Sequence, residues 1–214
     1  MVRIGVLTYA KMPDPEWLTA LLGERTAALL AVNRRGSART ETLLGFCLLS
    51  QMLPDADLSA LQRTPEGRPF LSGRPDLDFS LTHCRGLVAC AVGTGGVRVG
   101  IDAEPTGTQT PAAMGRIAAR WFSPAERDGW ERNGRDEPTF LALWTAKEAA
   151  SKWQGGGLRD LRTVDLSTLS RATYRVGSVV LSAVCDPGND LPAGAERFSL
   201  PATGEGTGRV KSEE

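Results

Sequence analysis

Asp102-Ala103-Glu104-Pro105 closes a β-prone run, Val97 to Ile101, and so sets two carboxylates two residues apart at a strand end. A side-chain period of two points both to one face. Like charges that close repel unless a cation lies between them, and paired hard oxygens with a substrate phosphate are a common way to hold Mg²⁺. A solvated strand end ahead of Pro105 is the plainer account of the same residues. A second signal lies in the helical stretch from about Pro138 to Gln154. At about 100° per residue, Leu141, Trp144 and Lys152 all fall within about 40° of Glu148, so an acid and a lysine share a stripe with large apolar groups. That stripe faces protein, and charges directed inward need partners. Glu148 and Lys152 could also satisfy each other as an ordinary (i, i+4) pair.

Other reactive types have plain local explanations. Ser123-Pro124-Ala125-Glu126 fits a capping box, with Ser at the N-cap and Glu reaching back to a free N–H. His83 follows the strand-like Asp78 to Thr82, where a histidine is ordinarily packed or exposed. Arg68, in Gly67-Arg68-Pro69, reads as a turn arginine, and Arg34, Arg35 and Arg39 as a solvated basic patch. With a single histidine, His-His zinc sites are excluded. Cys47, Cys84, Cys90 and Cys185 have no CxxC or metal-type spacing and read as reduced core thiols.

The elements that must position these groups are those of a globular chain of 214 residues, 41% hydrophobic and 23% charged, which excludes general disorder. Lys plus Arg and Asp plus Glu both number 25, so no global field favours nucleic acid or an anionic membrane. No run approaches the roughly 18 apolar residues of a membrane span, and the N-terminal apolar run is short for a secretory signal; both place the chain in the cytosol. Val2 to Tyr9 reads as a strand, Asp14-Pro15-Glu16 opens a short helix, and Arg39 to Met52 forms the first large helix. Phe70-Leu71, Leu77 to Leu81, Leu87 to Val92 and Val97 to Ile101 read as strands. Helices follow from Pro111 to about Trp121, from Pro124, and from Pro138 to Gln154, where Gly155-Gly156-Gly157 ends the last. Val164 to Leu166, Ala172 to Val176 and Val179 to Val184 read as strands, and the Gly- and Glu-rich tail from Pro201 as mobile. The order of elements suits an α+β chain of two stacked halves, 1–100 and 101–200, with 201–214 as tail.

Taken in order, Gly67-Arg68-Pro69, Phe79 to His83, Val99 to Glu104, Trp121 to Glu126 and Leu143 to Lys152 resemble the successive motifs of 4′-phosphopantetheinyl transferases. The resemblance is to the large monomeric, surfactin-synthetase-activator type, and its last block is the most specific. It implies two similar α+β halves related by a pseudo-twofold axis, with coenzyme A and a divalent ion in the cleft between them. It further implies that Asp102, Glu104 and Glu148 hold Mg²⁺ (or Mn²⁺) with the pyrophosphate of coenzyme A. Lys152 would neutralise a pyrophosphate oxygen and Lys147 would add a second positive contact. His83 would contact the 3′-phosphate, Arg68 would line the adenosine end, and Thr82 stands where many members have serine. Arg39 is the candidate 3′-phosphate contact ahead of the first large helix, with Arg34 and Arg35 as competitors.

The implied reaction is attack by a serine hydroxyl of an apo acyl or peptidyl carrier protein on the β-phosphate of coenzyme A, with release of 3′,5′-ADP. Glu148 or Glu126 would take the serine proton. The partners would be coenzyme A and carrier domains, with no nucleic acid or membrane, and the enzyme would act as a monomer. Two other functions use the same residues: a Mg²⁺-dependent nucleotide pyrophosphate hydrolase, and a non-catalytic module binding coenzyme A or a carrier.

Overall fold

A computed structural model describes residues 1–23, 26, 35–155 and 161–201 of the chain. Arg34, Gly156, Gly157 and the tail beyond Pro201 lie outside the described residues. The fold is α+β, with two sheets packed face to face and a long helix outside each.

The first sheet has the order β4-β5-β1-β9, from β1 (Val2–Thr8), β4 (Leu77–Cys84), β5 (Leu87–Thr94) and β9 (Glu196–Phe198). β1 pairs antiparallel with β5 and parallel with β9. Apolar residues at alternate positions divide between its faces. Leu7, Phe79, Val88, Cys90 and Val92 pack on α2 (Gly36–Met52) through Leu43, Leu44, Phe46 and Leu48. Ile4, Val6, Ala89 and Ala91 face inward and meet Ile101, Ala103, Leu181 and Ala183 of the second sheet. That sheet has the order β6-β8-β7, from β6 (Val99–Pro105), β7 (Ser170–Val176) and β8 (Val179–Cys185). The short strands β2 (Leu61–Arg63) and β3 (Pro69–Leu71) pair apart from both sheets.

Helix ends follow their local chemistry. α1 (Pro15–Leu22) starts where Asp14 accepts from Glu16 N–H at 2.7 Å. α3 (Pro111–Trp121), α4 (Pro124–Arg132) and α5 (Glu137–Gln154) carry Thr110, Ser123 and Asp136 as N-caps. Gly155 ends α5 in the left-handed region, at φ 83°, which glycine adopts without steric cost. α5 lies across the outer face of β6 because Gly100 has no side chain: a Cβ there would overlap the carbonyl oxygen of Ala149. That close approach brings Glu148 and Lys152 onto the acids of β6.

Three elements differ from the sequence reading, the first being β2, which pairs with β3 where no strand was expected. Val164 to Leu166 is not a strand. Asp165 accepts from Ser167 N–H at 2.9 Å and winds Leu166–Thr168 into a 3₁₀ turn, a local bond that displaces extended backbone. β9 was not foreseen, because Glu-Arg-Phe has little strand character and its pairing is made across the whole chain to β1. This strand places residues 196–198 in the sheet built otherwise from the first hundred residues. Cys47, Cys84, Cys90 and Cys185 are free thiols, as read from their spacing. Among the described residues no helix is long and apolar enough to cross a membrane.

Candidate functional site

Alternation on β6 sends Val99, Ile101 and Ala103 into the core between the sheets and leaves Asp102 and Glu104 on the face covered by α5. Glu148 on α5 completes a group of three carboxylates, each offering one oxygen, with those oxygens all within 4.8 Å of one another. Asp102 is buried at 6% exposure. Its Oδ1 accepts from Lys152 Nζ at 2.7 Å and from the Thr82 hydroxyl at 3.0 Å. Its Oδ2 is buried and has no hydrogen-bond partner.

The electrostatics of the group follow from that crowding. Burial first, then the charge and close approach of the Asp102 carboxylate, push the Glu148 carboxyl up to about 9, against the pull of Lys152. Burial and Asp102 also raise Glu104, while the Trp144 indole and Lys152 oppose the rise. A buried carboxylate oxygen without a donor is costly, and three acids at this spacing cannot all ionise together without a cation. A hard oxygen donor set that includes a carboxylate with an unpartnered buried oxygen suits a hard divalent ion.

Lys152 does not pair with Glu148 along the helix. Its Nζ crosses to Asp102 and also donates to the carbonyls of Ile101 at 3.0 Å and Leu81 at 3.4 Å. One cation thus ties α5 to both β6 and β4. Beside the acids opens a cavity of about 340 Å³, whose walls include Thr82, His83, Arg68, Lys152, Phe46 and Glu41. Two residues that grip Asp102, Thr82 and Lys152, therefore also face the cavity. His83 is half-exposed and its Nδ1 lies 3.4 Å from Glu41.

Arg68 lines the cavity, but its guanidinium is directed at protein. It bonds Asp78 at 2.6 Å, the Val99 carbonyl at 2.9 Å and the Lys152 carbonyl. It joins the loop before β3 to β4, β6 and the C-terminal turn of α5. Asp78 in turn accepts from Val99 N–H at 2.8 Å, and Ser80 from Ile101 N–H at 3.2 Å. The polar residues of β4 thus serve the free edge of β6 in place of a ladder.

Lys147 corrects the sequence reading. It is fully buried, and its Nζ is held by Glu126 Oε2 at 2.9 Å, Glu126 Oε1 at 3.2 Å and the Val164 carbonyl at 3.3 Å. One residue along a helix turns the side chain by about 100°, so Lys147 points away from the stripe of Glu148. It is a core cation with no access to a phosphate. The capping box at Ser123 is formed, with Ser123 N–H donating to Glu126 Oε2 at 2.7 Å, so both oxygens of Glu126 are engaged. Arg39 is exposed on α2 and Arg35 exposed at its N-cap, and neither is part of the cavity wall. Sequence reasoning missed Asp78, Ser80 and Glu41, and it placed Trp144 on the stripe of Glu148 only as an apolar group. The signal for the first two was present: polar residues at alternate positions of a strand whose other face is apolar must find buried partners.

Comparison with known proteins points the same way as the motifs. A sequence model described as the 4′-phosphopantetheinyl transferase superfamily matches residues 98–189. The chain is 32% identical over 145 residues to the 4′-phosphopantetheinyl transferase Sfp of Bacillus subtilis (strain 168), covering 64% of this chain and 60% of that protein. Another Bacillus subtilis 4′-phosphopantetheinyl transferase is 32% identical over 94 residues, 43% of this chain and 39% of the relative. The 4′-phosphopantetheinyl transferase AcpT of Salmonella typhi is 31% identical over 175 residues, 79% of this chain and 88% of that protein. The chain therefore spans less than two thirds of the length of the two Bacillus relatives and most of the length of the Salmonella one.

Proposed function

We propose that this chain, which belongs to the 4′-phosphopantetheinyl transferase superfamily, moves the phosphopantetheine arm of coenzyme A to a serine of an apo acyl or peptidyl carrier protein. The observation that carries this reading is the convergence of Asp102, Glu104 and Glu148, with Asp102 Oδ2 unpartnered, behind Thr82 and Lys152, which grip Asp102 and line a cavity large enough for a nucleotide end. These three residues would hold Mg²⁺ or Mn²⁺. When bound, the ion would offset negative charge growing on the phosphate oxygens.

The chain's own groups have separable tasks. Lys152 fixes Asp102 and adds positive charge where the cavity meets the acids. His83 and the aliphatic part of Arg68 line the adenosine end, with the Arg68 guanidinium reserved for the protein. The serine oxygen bonds to the β-phosphorus as the bond from that phosphorus to the bridging oxygen breaks, and 3′,5′-ADP departs. Of the two carboxylates able to take the serine proton, Glu126 is engaged by Ser123 and Lys147. We therefore assign the proton to Glu148, directly or through a water.

The test is a panel of apo carrier proteins, each incubated with the protein, coenzyme A and Mg²⁺ and then weighed. At least one carrier should gain a phosphopantetheine mass, and Asp102→Asn should abolish the gain while retaining the fold. No gain on any carrier would refute the reading. Release of 3′,5′-ADP without an acceptor would replace it with pyrophosphate hydrolysis.

A further inference from the structure

β4 and β6 belong to different sheets, yet they lie side by side, and the contacts between them follow a pattern. On β4 the residues facing β6 are Asp78, Ser80 and Thr82. Asp78 and Ser80 accept backbone N–H groups of Val99 and Ile101. Thr82 breaks the pattern: it donates its hydroxyl to a side chain, Asp102 Oδ1, at 3.0 Å. Thr82 is itself buried at 6% exposure, and as a β-branched residue in a strand it has a restricted χ1, so the hydroxyl is held in place.

An ionised carboxylate only accepts, and its two oxygens are equivalent until the surroundings distinguish them. Here they differ. Oδ1 carries two donors, Thr82 and Lys152, which arrive from different elements. Oδ2 carries none and is buried. Together the two donors hold the plane of the carboxylate, with one oxygen engaged by them and the other left without a donor. Lys152 alone would not do so: it sits on a flexible stem, shares its protons with the carbonyls of Ile101 and Leu81, and is over one third exposed.

We infer that Thr82 is a positioning residue, whose hydroxyl holds Asp102 by Oδ1 so that Oδ2 alone is presented to a divalent cation shared with Glu104 and Glu148. The inference rests on the reading of those three acids as a cation site. The sequence resemblance marks this position only as one where many members have serine, with no partner assigned to its hydroxyl. The first sheet then supplies part of the support for a site whose ligands all come from β6 and α5.

The experiment is a titration of the full chain with Mn²⁺, free ion read by electron paramagnetic resonance, without coenzyme A or carrier. Thr82→Val keeps the shape and removes the donor, and Thr82→Ser keeps the donor. Loss of a hydrogen bond to a ligating carboxylate weakens metal binding by about 10- to 100-fold. Thr82→Val should show that loss and Thr82→Ser should bind close to wild type. If circular dichroism shows Thr82→Val unfolded, Thr82→Ala against Thr82→Ser makes the same comparison. Wild-type affinity in the variant lacking the hydroxyl would overturn the inference and leave the cation site standing. Absence of Mn²⁺ binding in the wild type, with or without coenzyme A, would instead overturn the cation site and the inference with it.

Discussion

Glu148→Gln should make the metal-free protein more stable while destroying its transferase activity. The Glu148 carboxyl is buried against Asp102 and pushed up to about 9 from an ordinary 4.5. For a carboxyl raised on folding, the favourable contribution is complete below 4.5 and is lost as pH rises from there through about 9. At neutrality the unfolded chain has already released the proton that the folded chain retains. The interval from 4.5 to neutral pH, at about 1.4 kcal/mol per pH unit, makes this a cost of up to about 3 kcal/mol. Glutamine ionises in neither state, so the variant escapes that cost. At about 2 to 4 °C per kcal/mol for a chain of this size, Tm in EDTA should rise by up to roughly 6 to 12 °C. The assay is thermal unfolding of both proteins in EDTA from pH 5 to pH 9, repeated with saturating Mg²⁺. Wild-type stability should fall across that range while the variant changes less. Mg²⁺ should raise the wild-type Tm and leave the variant nearly unmoved, because only the intact site gains from mass action. A variant no more stable than wild type in EDTA at pH 7 would refute the account of strain at Glu148.

Three further outcomes follow from the surrounding structure. Glu126→Gln leaves Lys147 fully buried without its counter-charge and should cost about 3 to 5 kcal/mol in urea denaturation, much of it regained in the double variant with Lys147→Met; lost transfer with unchanged stability would return Glu126 to the role of base. Arg68→Ala should cost about 2 to 4 kcal/mol, because it unlinks β4, β6 and α5. Its residual activity should keep the wild-type preference between coenzyme A and the 3′-dephospho form, and a changed preference would show that the guanidinium reaches a phosphate. Gly100→Ala should cost at least about 3 kcal/mol, since the new methyl would overlap the Ala149 carbonyl, and a loss below about 1 kcal/mol would contradict the contact between β6 and α5.

The legible parts of this chain were those governed by a local period. Asp102 and Glu104 share a face because a strand alternates, and the residues beside them, Ile101 and Ala103, are apolar and must go the other way. Glu148 and Lys152 share a stripe because a helix turns every 3.6 residues. The caps at Asp14 and Ser123 and the stop at Gly155 also formed as their local residues direct. Where local signals conflicted, as at Val164 to Leu166, the side chain of Asp165 decided for a turn. β9 could not be read because neither its composition nor its neighbours mark it.

By itself, the sequence determined which residue types could meet a cation or a phosphate, and the direction each side chain takes from its own element. Only the tertiary structure decided who meets whom. Lys152 passes over its helical neighbour Glu148 for Asp102, Lys147 turns to Glu126, and Arg68 closes on Asp78 and the carbonyls of Phe79, Val99 and Lys152. The physical reason is that a side chain's direction is set by backbone geometry a few residues long. A charged group's partner is set by what else is buried within reach, and that depends on how β4, β6 and α5 pack together.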